Sequence, residues 1–204
     1  MSRPTDEQLL EAHRRGDDEA LREIIERYHG ELFRFLYRLV GDRAAAEDVF
    51  QDAFLQVHLS ADSFDTSRRF RPWLFTIAAN KGRDYLRKKG RRRERELSAP
   101  VGGNSATGGS RSASFIDLME IDIPGPESGL DREERDQRVQ EALEGLSPTL
   151  REILLLAYFQ RLSYAQIADD LGIPLGTVKS RLHAAVASFA KHWSRVAGRD
   201  GDGD

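Results

Sequence analysis

Cysteine is absent from the 204 residues. That excludes disulfides, thiolate chemistry and cysteine-built zinc sites. No run of about eighteen apolar residues occurs, so no segment is expected to insert into a membrane. The opening stretch MSRPTDEQLLEAHRRGDDEA is too polar for a secretory signal, and these absences together point to the cytoplasm. The histidines His13, His29, His58, His183 and His192 share no metal-ligand spacing, and Ser/His/Asp groupings lack a catalytic context. An enzyme, a cofactor and a metal are therefore not expected. Strand signals are also missing, apart from one short stretch near residue 120, so the fold class reads as all-α.

The charge is plentiful but unevenly placed. A net charge of −3 hides three blocks. Residues 1–66 hold 15 acidic and 8 basic residues, residues 68–95 hold 12 basic against 2 acidic, and residues 117–145 hold 10 acidic against 3 basic. Such segregation predicts different partners for different segments. The basic block suits a polyanion, because neutralising phosphates releases counterions.

Helical periodicity fills the rest. Leu21, Ile24, Ile25, Tyr28, Leu32, Phe35, Leu36 and Leu39 keep one face over five turns, with Asp17 or Asp18 to cap the start and Gly41 the end. A shorter helix is predicted over Glu7–Arg15. After Asp42, the residues Ala46, Val49, Phe50, Ala53, Phe54 and Val57 form a buried stripe, which leaves Glu47, Asp48, Gln51 and Asp52 on the other face. The segment 61–72 reads as a loop and 73–93 as a strongly basic fourth helix. Residues 98–114 contain nine Gly or Ser in seventeen, which predicts a flexible linker. The following FIDLMEIDIPGPES alternates apolar and acidic residues and buries too little to be stable alone. The expected organisation is a domain over 1–95, a linker over 96–130, a second domain over 131–195 and a disordered tail over 196–204.

In the second half, Ser147 with Pro148 starts a helix whose stripe is Leu150, Ile153, Leu154, Ala157 and Tyr158. Ser163 with Gln166 forms a capping box for a short helix ending at Gly172. Pro174 then leads into a longer helix from about Leu175 to Trp193, with Val178, Leu182, Val186 and Phe189 facing inward. Two helices joined by a tight glycine turn are a helix-turn-helix arrangement, whose second helix presents its first turns to the major groove. Thr177, Lys179, Ser180, Arg181 and His183 remain outward, where hydroxyls and cations meet phosphates and base edges.

The stretches AEDVFQDAF and FRPWLFTIAANKGRDYLRKK, followed after a linker by LSPTLREILLLAYFQRLSYAQIADDLGIPLGTVKSRLHAA, resemble bacterial sigma factors of the sigma-70 family. The size and two-domain plan are similar to the extracytoplasmic-function group, which keeps only regions 2 and 4. The resemblance covers about residues 5–95 and 130–193. It implies a factor without catalysis of its own that binds core RNA polymerase and gives it promoter specificity. Glu47, Asp48, Gln51, Asp52 and Gln56 would then dock on a coiled coil of the largest polymerase subunit, as an acidic stripe suits a basic partner. The loop 60–72 and the helix after it would read the −10 element of promoter DNA, where single-stranded bases are captured by stacking and flipping. Phe64, Phe70, Trp73 and Asn80 are the implied base contacts; Arg68, Arg69, Arg71, Lys81, Arg83, Arg87 and Lys88 are the implied backbone contacts. Trp73 is equally at home in a core. The paired tryptophans of housekeeping members are lacking, which implies weaker melting and stricter promoter choice. The outward set Thr177, Lys179, Ser180, Arg181 and His183 would read the −35 element, and Ala184 stands where relatives often carry another arginine. An anti-sigma factor that clamps both domains is a further implied partner.

The linker has the reach for this. Some 35 residues span about 115 Å extended and about 30–35 Å as a relaxed coil. Elements seventeen base pairs apart are separated by roughly 58 Å, so the linker must be drawn out in use. Its Asp117, Glu120 and Asp122 would lie near the polymerase cleft by the same resemblance. A stand-alone helix-turn-helix regulator, with residues 1–95 sensing a ligand or dimerising, is the competing expectation. Tight duplex binding without polymerase would favour it.

Overall fold

A computed structural model describes residues 3–96, 129–160 and 163–197 of the chain. Among these residues there are helices and turns and no strand. The predicted linker and tail, including Asp117, Glu120 and Asp122, lie outside the described residues or at their margins.

Helix α1, Asp6–Arg14, starts in a capping box in which Thr5 and Gln8 bond each other's backbone N–H. Helix α2, Asp18–Val40, is capped by the Asp17 side chain and closed by Gly41. Helix α3, Arg43–Ser60, is capped by Asp42 on the Ala45 N–H at 2.7 Å and runs into a 3-10 turn, Ala61–Ser63. Helix α4, Phe70–Glu96, begins three residues earlier than the sequence suggested. Pro72 falls in its first turn, where a missing N–H removes no helical bond. Then come α5, Gly129–Glu144; α6, Pro148–Gln160; α7, Tyr164–Leu171; and α8, Leu175–Ala197.

Helices α2, α3 and α4 pack pairwise around Ile24, Leu32, Phe35, Leu36, Phe54, Leu74 and Phe75, with α1 laid across α2. Each such side chain removed from water contributes about 1.5–3 kcal/mol. Helices α2 and α4 approach closely at Gly82, where a Cβ would sit 2.6 Å from Leu39 Cδ2. A second cluster, Leu146, Ile153, Ile167, Val178, Leu182 and Ala185, joins α6, α7 and α8.

The two halves pack against each other in this structure. Leu143, Leu155 and Leu156 of the second half belong to the core of the first, and α6 packs against α2 and α4. Burial on that extra face changes the predicted stripe of α6. Leu155 and Leu156 are buried, whereas Tyr158, expected inward, is 56% exposed. On α8 Val178 and Leu182 are buried as expected, but Ala185 is buried with them and Val186 is only half-buried. The buried Arg151 closes the seam: it donates to the Leu39 carbonyl at 3.1 Å and to the Glu144 carbonyl at 3.2 Å. One guanidinium thus serves the carbonyl ends of both α2 and α5.

Candidate nucleic-acid and protein interfaces

The capping of α3 by Asp42 fixes which residues face out. With Ala46, Val49, Phe50, Ala53, Phe54 and Val57 buried, the exposed side carries Glu47, Asp48, Gln51 and Asp52. Gln56 is half-buried and ties two surfaces together: its Oε1 accepts from Lys81 Nζ at 3.0 Å, and its Nε2 donates to Ser60 at 2.7 Å. Leu55 and Leu59, overlooked in the sequence, are 56% and 69% exposed. They extend the Asp48 and Asp52 face by helical spacing, so the surface is acidic with an apolar edge. The signal was available, since both leucines fall outside the buried stripe.

The basic surface begins at the loop between α3 and α4. Asp65 accepts from the Ser67 N–H at 2.9 Å and, through its carbonyl, from the Arg68 N–H at 3.0 Å. These bonds to Ser67 hold the Asp65 carboxyl below its ordinary value. The turn leaves Arg68 and Arg69 exposed. Asn80, Arg87 and Lys88 are exposed along α4, with Arg87 2.9 Å from Asp84.

Other expected contacts are differently employed. Phe64 and Phe70 are 6% and 0% exposed, packed edge-on at 6.2 Å, so neither offers a ring face to a base. Their pairing follows from the early start of α4, which carries Phe70 inward. Trp73 is half-buried and lies 4.5 Å from the Phe64 ring, which makes it the aromatic at the loop surface. Arg71 is bonded to Glu31 at 2.7 Å and lies 5.1 Å over the Phe75 ring. It is a structural cation here rather than an open backbone contact. Arg83 is bonded to Glu152 across the seam, an ion pair that raises its pKa above the ordinary value.

The second surface is the bihelical unit. Ser163 and Gln166 form the capping box of α7, and Gly172 takes a left-handed conformation, φ 62°, that a Cβ would strain. The chain then turns through Pro174, whose carbonyl accepts from Thr177 and Val178 N–H groups at 2.8 and 3.1 Å. Lys179, Ser180 and His183 are exposed on α8, and Thr177 and Arg181 are half-exposed. Ser180 Oγ donates to the Thr177 carbonyl at 3.1 Å, which leaves its lone pairs outward. Leu175, 41% exposed, adds an apolar side chain at the start of α8. Among the described residues no group of three or more His, Asp or Glu is placed to hold a metal, and no helix is long and apolar enough to cross a membrane.

Comparison with known proteins coincides with these two surfaces. Residues 24–92 match the family Sigma-70 region 2, and residues 136–188 match Sigma-70, region 4. The chain is 32% identical to the ECF RNA polymerase sigma factor SigW of Bacillus subtilis, over 87% of this chain and 91% of that one. It is 34% identical to the ECF RNA polymerase sigma-E factor of Escherichia coli, over 89% of this chain and 90% of that one. The fold is similar to the sigma factor RpoE solved with the anti-sigma factor NepR from Bartonella quintana, with TM-score 0.59, 22% identity, and coverage of 86% of this chain and 95% of that one. Both helical halves, in this order and over most of the length, therefore place the chain in the extracytoplasmic-function sigma factors of the sigma-70 family.

Proposed function

We propose how this sigma factor divides its work between the two halves. As a sigma factor it binds core RNA polymerase and directs promoter-specific initiation at −10 and −35 elements. Glu47, Asp48, Gln51 and Asp52 supply the charge that docks on polymerase, and Gln56, Leu55 and Leu59 complete that face. Arg68, Arg69, Trp73, Asn80, Lys81, Arg87 and Lys88 receive the −10 strand. Thr177, Lys179, Ser180, Arg181 and His183 read the −35 element from the start of α8. The carrying observation is that α3 and α4 expose opposite charges on adjoining faces of one bundle. One body thereby holds a protein partner and a nucleic acid side by side.

The relative from Bartonella quintana was solved with an anti-sigma factor. A similar inhibitor for this chain is part of our reading, and the closed packing of α6 on α2 and α4 is the form it would hold. The domains run over 1–95 and 131–195, the site of action is the cytoplasm, and no catalytic step belongs to the chain itself. The test is transcription by purified core polymerase on genomic fragments, with and without the protein. Start sites that appear only with the protein, together with weak duplex binding by the free chain, support this division. Tight, sequence-specific duplex binding without polymerase would instead favour a stand-alone regulator.

A further inference from the structure

The loop between α3 and α4 is short, and both of its ends leave backbone groups that their own helices do not satisfy. At the first end these are the Phe64 carbonyl and the second lone pair of the Ala61 carbonyl, which already accepts from the Phe64 N–H at 3.1 Å; at the second it is the first N–H of α4, at Phe70. All three are taken by α1. Arg14 donates through Nε to the Ala61 carbonyl at 2.6 Å, and its terminal nitrogen also reaches the Ala61 and Phe64 carbonyls. Glu7 Oε1 accepts from the Phe70 N–H at 2.9 Å. Each charge has the sign that its helix end favours: the guanidinium meets carbonyls closing α3 and the carboxylate meets the start of α4.

Glu7 and Arg14 lie two turns apart on one face of α1, about 10 Å along its axis. That helix is itself tied down. Asp6 accepts from Tyr28 Oη at 2.6 Å and from Arg27 at 2.9 Å, and His13 bonds His58 at 2.9 Å. Between the two grips, Asp65 organises the turn that presents Arg68 and Arg69. Helix α1 packs on α2, α4 and the 3-10 turn, and it touches α3 near that helix's C-terminal end through the His13–His58 bond.

We propose that α1 is a brace for the promoter-reading loop, with Glu7 and Arg14 as positioning residues that fix its two ends. The proposal rests on reading residues 60–72 as part of the −10 interface. A strand of splayed bases is selected only by a surface whose geometry is already set, because a loose site accepts wrong bases nearly as well as right ones. The brace supplies that geometry without touching DNA.

The full chain with core polymerase serves for the test, on a promoter found by start-site mapping and on single-base variants of it. Glu7→Ala and Arg14→Met should each lower discrimination at the −10 element about tenfold, the scale of one lost helix cap. Polymerase affinity and −35 discrimination should stay within about twofold of wild type. Glu7→Gln keeps an oxygen that accepts from Phe70 and should restore most of the −10 discrimination. The brace is overturned if Glu7→Ala and Arg14→Met keep wild-type −10 discrimination, or if they lose polymerase binding and both discriminations together. Arg68→Ala and Arg69→Ala distinguish a failure of the brace from a failure of the −10 reading. If these weaken binding of the −10 strand while the α1 variants keep wild-type discrimination, only the brace is wrong. If they change nothing, the −10 reading of the loop fails, and the brace with it.

Discussion

Arg83 of α4 meets Glu152 of α6 across the seam of the two halves, with Nε donating to Oε2 at 3.1 Å and a terminal nitrogen to Oε1. Glu152 is 8% exposed, and the Arg83 side chain is 53% exposed. While it is paired with this carboxylate, the cation attracts a phosphate less strongly. Part of the basic surface of α4 is thus neutralised by the chain itself.

Opening should follow from weakening that pair. Glu152→Gln keeps the shape and removes the charge, so small-angle scattering should give a larger radius of gyration, approached by wild type at high salt. Because Arg83 is half in solvent, the pair is worth about 1 kcal/mol at most. Affinity for a single-stranded −10 oligonucleotide should accordingly rise by no more than roughly fivefold. An unchanged radius and affinity would show that Arg83 is not shared between carboxylate and DNA.

Charge reversal on α3 addresses the polymerase face. Asp48 and Asp52 are exposed on one face of the helix, so Asp48→Lys with Asp52→Lys should leave the circular dichroism and thermal midpoint nearly unchanged. Binding to core polymerase should fall by about a hundredfold or more, since two attractions become two repulsions. Retained affinity in a pull-down titration would move the docking surface elsewhere.

The first exposed turns of α8 carry the third expectation. Arg181 is half-exposed beside the exposed Lys179 and His183. Arg181→Ala should relax preference at one −35 base by about 1–3 kcal/mol, the value of one bidentate contact. Measured across all single-base variants, a uniform loss would make Arg181 a phosphate clamp instead.

How far the sequence could be read depended on the range of each interaction. Caps and periodicity are local, and Asp17, Asp42, Gly41, Ser163, Gln166 and Gly172 all do what their positions suggest. The α3 stripe was legible for the same reason. What failed was long-range. Nothing near Phe64 or Phe70 in the chain announces that the two rings pack on each other, or that Glu7 in α1 caps α4. Tyr158 looked inward because a single stripe was assumed, whereas α6 is buried both against α8 and against α2 and α4. The Arg83–Glu152 pair joins residues far apart in sequence. No periodicity encodes such a pair, and only the packing of the two halves reveals that this cation of the basic helix already has a partner.

The seat of α1 should be sensitive to alkali through Tyr28. Burial pushes its hydroxyl above the ordinary tyrosine value, and donation to Asp6 at 2.6 Å, with the repulsion of that carboxylate, pushes it further. Arg71 opposes the shift weakly and Glu31 adds to it. In the folded chain Tyr28 therefore stays protonated when an unfolded tyrosine, at 10.0, loses its proton. The unfolded state binds fewer protons over that range, so stability present below pH 10 is lost as pH rises toward the folded value. The slope from this one group is at most about 1.4 kcal/mol per pH unit. Tyr28→Phe lacks both the hydrogen bond and the titration. At pH 8 it should be less stable than wild type by about 1 kcal/mol. That gap should narrow above pH 10, because only the wild type loses stability there through residue 28. Urea melts of both proteins between pH 8 and 11 measure the difference directly, and other tyrosines cancel in the comparison. A gap that stays constant with pH would mean that Tyr28 titrates as freely in the fold as in the unfolded chain.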